Sequence, residues 1–132
     1  MEMSIDFPGG NRVDAHFGDF IVKTDQPPEA TAPTPFATFL ASIGTCAGIY
    51  ILEFCQKRDL PTEGIHIVQR MHTDPVTRLV GKIDLEIQVP PTFPEKYIPA
   101  LVNSAELCKV KKHLEHPPEF EIFTKRAELI TA

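Results

Sequence analysis

The sequence contains no basic run and little aromatic side chain, 8%. With a formal net charge of −5, these absences argue against nucleic acid or an anionic membrane as a partner. The N-terminal Met1-Glu-Met-Ser-Ile-Asp6 lacks the basic and apolar regions of a signal peptide. No apolar run in the sequence approaches the ~20 residues of a membrane span. A cytoplasmic protein is expected. The three cysteines, Cys46, Cys55 and Cys108, form no CxxC pair. That disfavours a secreted disulfide scaffold and a structural zinc site, and leaves free thiols, some of them reactive. Repeats and low-complexity segments are also absent.

What is present suits one domain over residues 1–132, with the ordinary apolar and charged fractions of a globular chain. Ser4–Phe7, Arg12–Phe17 and Phe20–Lys23 read as a meander of short strands separated by Pro8-Gly-Gly-Asn11 and Gly18-Asp19. A proline-rich loop over 24–33 follows. Thr34 and Pro35 then open a helix as N-cap and first residue. Phe36, Phe39, Leu40, Ile43, Cys46, Ala47, Tyr50, Ile51 and Phe54 recur at helical spacing. Charge is absent until Glu53, so the helix is expected to be buried on nearly all sides, with Pro61 stopping it. Residues 64–72 and 79–89 read as a hairpin whose Ile83, Leu85, Ile87 and Val89 alternate with polar residues. A second helical region starts near Pro94 and carries Ile98, Leu101, Val102, Ala105 and Cys108 on one face. A basic turn or short helix follows over Lys109–His116, and a final strand over Phe120–Ala127. The order β-β-β-α-β-β-α-β makes the fold α+β.

The chemistry lies in the thiols. A thiol attacks as the thiolate, and free cysteine has a pKa of ~8.5, so a reactive site needs positive charge nearby. Mid-helix, Cys46 gains little from its own helix N-terminus. Arg12, placed by a glycine turn at a strand start, is the best candidate cation, because its planar fork can hold a thiolate and a peroxide oxygen together. Gly44 and Gly48 bracket Cys46 and cost the helix stability; close approach of a neighbour to the thiol would explain them. The bland alternatives are a cysteine serving as a small core residue and an arginine on a strand surface. His113 and His116 lack a third ligand for a metal. His16, His66 and His72 lie in strand patterns with no triad arrangement.

The sequence resembles the OsmC/Ohr family, the osmotically inducible and organic hydroperoxide resistance proteins. The resemblance rests on Gly9-Gly10-Asn11-Arg12, on Thr34-Pro35 with Leu40-Ala-Ser-Ile-Gly-Thr-Cys46, on Lys57-Arg58-Asp59-Leu60-Pro61 with Glu63-Gly64-Ile65, and on Ala105-Glu-Leu-Cys108-Lys-Val. It implies an intertwined homodimer with two buried central helices wrapped by antiparallel sheets and sites at the subunit interface. It further implies a thiol peroxidase of organic hydroperoxides and hydrogen peroxide, with no metal, haem or flavin. Cys46 would be the peroxidatic thiolate, Cys108 the resolving thiol, Arg12 the active-site arginine and an external dithiol the reductant. Phe36, Phe39 and Tyr50 would line an apolar substrate pocket. Phe36 follows Pro35 where better-characterised subgroups carry a glutamate that steadies the arginine. That departure supports a second reading, a non-enzymatic dimer that binds a small apolar ligand and whose cysteines are inert.

Overall fold

In a computed structural model, which describes residues 1–127, the chain runs through five strands, a 3-10 turn and three helices. Strands β1 (Ser4–Gly9), β2 (Arg12–Phe17) and β3 (Phe20–Thr24) form an antiparallel meander in that order. Gly10 and Gly18 take positive φ at the two turns, a conformation that costs glycine little. The β1–β2 register pairs Ser4 with His16 and Asp6 with Asp14, and shifts between Asp6 and Gly9. The β2–β3 register pairs Asp14 with Lys23.

Helix α1 covers Pro35–Lys57. Thr34 caps it as expected, its Oγ1 accepting from the Ala37 N–H at 3.1 Å. The helix stops before Pro61 has any say. Asp59 adopts φ 53°, and the Leu60 N–H reaches back to the Cys55 carbonyl at 2.9 Å, the closure usually supplied by a left-handed glycine. At 23 residues, α1 is also long and apolar enough to cross a membrane by length and composition, which corrects the expectation that no segment qualifies. In the fold it packs as a core helix. Ile43, Ala47, Ile51, Phe54 and Cys55 are buried, the last four in a cluster with Phe93, Leu101 and Ala105.

Strands β4 (His66–Thr73) and β5 (Val80–Gln88) form a separate antiparallel hairpin. Its register sets Ile67 against Ile87, Gln69 against Leu85 and Met71 against Ile83. Ile67, Leu85 and Ile87 pack on the core cluster, while Arg70–Glu86 and His72–Asp84 ion pairs occupy the wet face. After a 3-10 turn at Glu95–Tyr97, α2 (Ile98–Glu106) begins with Pro99 in its first turn, where a missing N–H costs nothing. It ends at Leu107, and α3 (Lys109–Glu115) starts afresh with Cys108 at its N-cap. The second helical region is thus two helices, and Cys108 is their junction.

Two further expectations are corrected. Among the described residues, no strand forms at Phe120–Ala127. A strand exists only when a neighbour takes its backbone hydrogen bonds, and this segment lies in the open, with Ile122 95% exposed. Likewise α1 is not buried on all sides: Phe36, Phe39, Ile49 and Leu52 are exposed.

The helix glycines also have a different cause from the one expected. Gly44 and Gly48 face β4, away from the thiol. A Cβ on Gly44 would run into Gln69 Oε1, whereas one on Gly48 would meet Ile67 at an ordinary 3.8 Å. Gln69 needs that space because its Nε2 donates to the Leu40 carbonyl at 2.9 Å. Alanine at position 44 would gain about 1 kcal/mol of helix propensity and disturb a hydrogen bond of about the same worth. Gly44→Ala should therefore be close to neutral in the native background and stabilising by about 1 kcal/mol in Gln69→Ala. Urea unfolding of the four-member mutant cycle checks this; equal effects of Gly44→Ala in both backgrounds would contradict it.

Candidate active site

Cys46 and Cys108 are brought together although 62 positions separate them in the sequence. Cys46 projects from the middle of α1 and is partly exposed. Cys108, 2% exposed, sits where α2 ends. Both are free thiols. The break between α2 and α3 creates the contact. The Cys108 backbone is extended at ψ 126°, so the first N–H groups of α3 have no carbonyl four residues back to bond. Those of Val110 and Lys109 lie near enough to the Cys46 sulfur to lower its pKa.

The electrostatic consequence is asymmetric. Desolvation is the largest influence on Cys46 and opposes ionisation. The Val110 N–H, the Cys108 thiol, the Lys109 N–H and the Lys109 charge together outweigh it, leaving the Cys46 thiol below its ordinary pKa. Cys108 is held above its ordinary value. Desolvation is again the main cause; the Lys111 and Val110 N–H groups oppose it, while donation to Cys46 and the charge there add to it. The two shifts are opposite in sign, so the Cys46 thiol is the more acidic of the pair. Cys55 lies in the core at 0% exposure and is pushed up by burial, which Arg58 only partly offsets.

The other residues singled out in the sequence lie elsewhere. Arg12 is not among the groups acting on Cys46; its Nη2 is 2.7 Å from Asp14 Oδ2, and its charge also bears on Asp25. The cation at Cys46 within the protomer is Lys109. Phe36 and Phe39 stack on one another at 5.9 Å on exposed α1 surface. Tyr50 is tied through its carbonyl to Ser104 Oγ at 3.0 Å. These three line neither of two larger cavities beside α1.

One of those cavities, of about 350 Å³, reaches Cys108, though Cys46 is not among its lining residues. Cys108, Ile43, Ile83, Leu85, Ile87 and Val102 line its apolar part, with Lys111 and Glu106 among its polar groups. The β5 residues belong to the alternating face visible in the sequence. Their position beside Cys108 depends on how the hairpin packs, which no periodicity reveals. The other cavity, about 510 Å³, lies between the glycine face of α1 and β4 and contains neither Cys46 nor Cys108.

An α+β fold of this topology, with paired thiols where a long helix meets a helix break, matches the family model described as OsmC-like protein over residues 27–123. The chain belongs to the OsmC-like protein family. No curated protein matches it significantly. Solved structures share the fold at low identity. An osmotic stress induced and detoxification response protein from Psychrobacter arcticus 273-4 is 20% identical, with a TM-score of 0.64 over 83% of this chain and 85% of that one. An OsmC like protein from Mycoplasma pneumoniae is 15% identical, with a TM-score of 0.64 over 88% and 87%. A protein from Aquifex aeolicus VF5 is 16% identical, with a TM-score of 0.65 over the same shares.

The asymmetry is measurable by alkylation. The pH profile for iodoacetamide labelling of Cys46 should lie below that of an ordinary thiol, because a depressed pKa leaves thiolate present at lower pH. Cys108→Ala removes a donor and should move the profile to higher pH; Lys109→Ala should move it the same way by less. A Cys46 profile unchanged by either substitution would contradict this picture.

Proposed function

We propose that the protein is a thiol-dependent peroxidase that reduces organic hydroperoxides, with Cys46 as the peroxidatic and Cys108 as the resolving cysteine. The observation that carries the reading is the pairing itself: a partly exposed Cys46 on α1 set against a buried Cys108 at the α2–α3 junction, with Cys46 the more acidic thiol. That division matches the order of events. The Cys46 thiolate attacks the terminal oxygen of the hydroperoxide, the O–O bond breaks, and the alkoxide leaves and takes a proton from water. Cys46 is now a sulfenic acid. The Cys108 sulfur attacks it, the S–S bond forms, and the Cys108 proton leaves with the hydroxyl as water. An external dithiol returns both thiols, closing a two-electron cycle suited to a reducing cytoplasm.

The apolar cavity beside Cys108 supports organic over inorganic peroxide as substrate. It also supports the second reading, a small-ligand-binding dimer with inert cysteines, because the same cavity would serve a ligand. Exposed Phe36, Phe39, Ile49 and Leu52 on α1, with Phe120, Ile122 and Phe123 beyond α3, support a homodimer, since a soluble monomer seldom leaves so much apolar surface bare. In that assembly Arg12, absent from the field at Cys46 in its own protomer, takes the arginine role from the partner side, with Asp14 holding it in place of the missing glutamate.

The test is cumene hydroperoxide consumption driven by dithiothreitol. The native protein should turn over. Cys46→Ser should lose at least about two orders of magnitude, the usual scale for removing a nucleophile. Cys108→Ser should stall with a Cys46 sulfenic acid that dimedone traps. Cavity binding of cumyl alcohol, with consumption no faster than in Cys46→Ser, would favour the ligand-binding reading.

A further inference from the structure

On the β1–β3 sheet, Asp6, Asp14 and His16 converge. One ligand atom from each lies within 4.8 Å of the others. The register explains it. Asp14 and His16 are two apart on β2 and so share a face, and Asp6 is the cross-strand partner of Asp14. The register shift lies beyond that pair, between Asp6 and Gly9 within β1. The sequence reading assigned His16 no role because Asp6 becomes its neighbour only through this register.

Asp14 cannot be an ordinary surface carboxylate. It is 5% exposed. Its Oδ2 is held by Arg12 at 2.7 Å, and its buried Oδ1 has no hydrogen-bond partner among the described residues. A buried carboxylate oxygen without a partner is costly. The imidazole beside it shows the same defect. His16 Nε2 lies 3.1 Å from Asp6 Oδ2, but the two are not aligned as a hydrogen bond and Nε2 is buried without a partner. Two buried polar atoms of one cluster, Asp14 Oδ1 and His16 Nε2, thus have no hydrogen-bond partner among the described residues. Lys23, opposite Asp14 on β3, forms no ion pair with it among the described residues.

We infer that Asp6, Asp14 and His16 form a binding site for a divalent first-row transition ion. Two carboxylates and one imidazole, with no sulfur, suit ions such as Zn²⁺ or Mn²⁺ over Cu⁺. Such an ion sits about 2.1 Å from each donor, which requires the three atoms to draw somewhat closer together. Asp6 and His16, with side chains 55% and 39% exposed, are free to move, while Asp14 is fixed by Arg12. Water completes the coordination on the exposed side. With neutral His16, the two carboxylates and Arg12 sum to one net negative charge, so a divalent ion is electrostatically welcome. Asp14 would then bridge ion and guanidinium, one oxygen to each.

Asp14 of this site also holds Arg12, but no thiol is among the ligands, and a Zn²⁺-binding readout does not depend on the peroxidase reading. The test is calorimetric titration of Zn²⁺ into the untagged Cys46→Ser/Cys108→Ser protein, which removes the paired thiols and leaves only Cys55, fully buried in the core. One equivalent per chain is expected. Asp6→Asn and His16→Gln, both at partly exposed positions compatible with folding, should each weaken binding at least about ten-fold. His72→Gln, which removes the separate His72–Asp84 pair, should leave it unchanged. In ¹⁵N-histidine spectra, Zn²⁺ should shift His16 Nε2 first. Absence of binding, or binding that survives Asp6→Asn and His16→Gln, would overturn the site. So would a first shift at another histidine.

Discussion

The feature on which the rest of the account depends is the helix break at Cys108. Had α2 continued through 109 and 110, those backbone N–H groups would be spent inside the helix on the carbonyls four residues back. Because the chain leaves helical geometry at Cys108 and re-enters it at Lys109, the same groups are free to lower the pKa of the Cys46 thiol. One backbone event thus supplies the proximity of the two thiols, the donors that acidify one, and the burial that makes the other less acidic. Cys46, mid-helix on α1, is served by the N-terminus of a different helix.

Around this junction the protomer is built with a division of labour. The core that holds α1 against α2 and the β4–β5 hairpin is well packed, with Leu101 and Ala47 each at 1% exposure. The β1–β3 sheet stands apart and carries a polar constellation of its own in Arg12, Asp14, His16 and Asp6. Arg12 therefore belongs, in the protomer, to the sheet's electrostatics and not to the thiol's. Lys109 provides the local charge at Cys46. Within the protomer Asp14 holds Arg12, while Phe36 stacks on Phe39 at the exposed start of α1.

Local signals in the sequence were sufficient for most elements. Thr34-Pro35 located the start of α1, the glycine turns located the first meander, and the alternation of Ile83, Leu85 and Ile87 identified the packed face of β5. What escaped were features decided by tertiary context. The α2–α3 break has no proline or glycine to announce it. Asp59 ends α1 in a left-handed conformation that the sequence gives little reason to expect of an aspartate. Gly44 answers to Gln69, 25 positions away, and not to the adjacent thiol. Phe120–Ala127 has the composition of a strand, but strand formation requires a neighbour that composition cannot supply. The candidate thiols were legible because their flanking residues resemble the family pattern. The cavity beside Cys108 was not, because it is made by α1, β5, α2 and α3 meeting.

The central claim is that Cys46 and Cys108 act as one redox unit with a fixed direction. The most direct measurement is peptide mass mapping after one equivalent of an organic hydroperoxide, quenched by rapid alkylation. The account predicts an intrachain Cys46–Cys108 disulfide, with Cys55 recovered as the free thiol. Oxidation that appears first at Cys108 or Cys55, or a Cys46 that oxidises without ever joining Cys108, would contradict it.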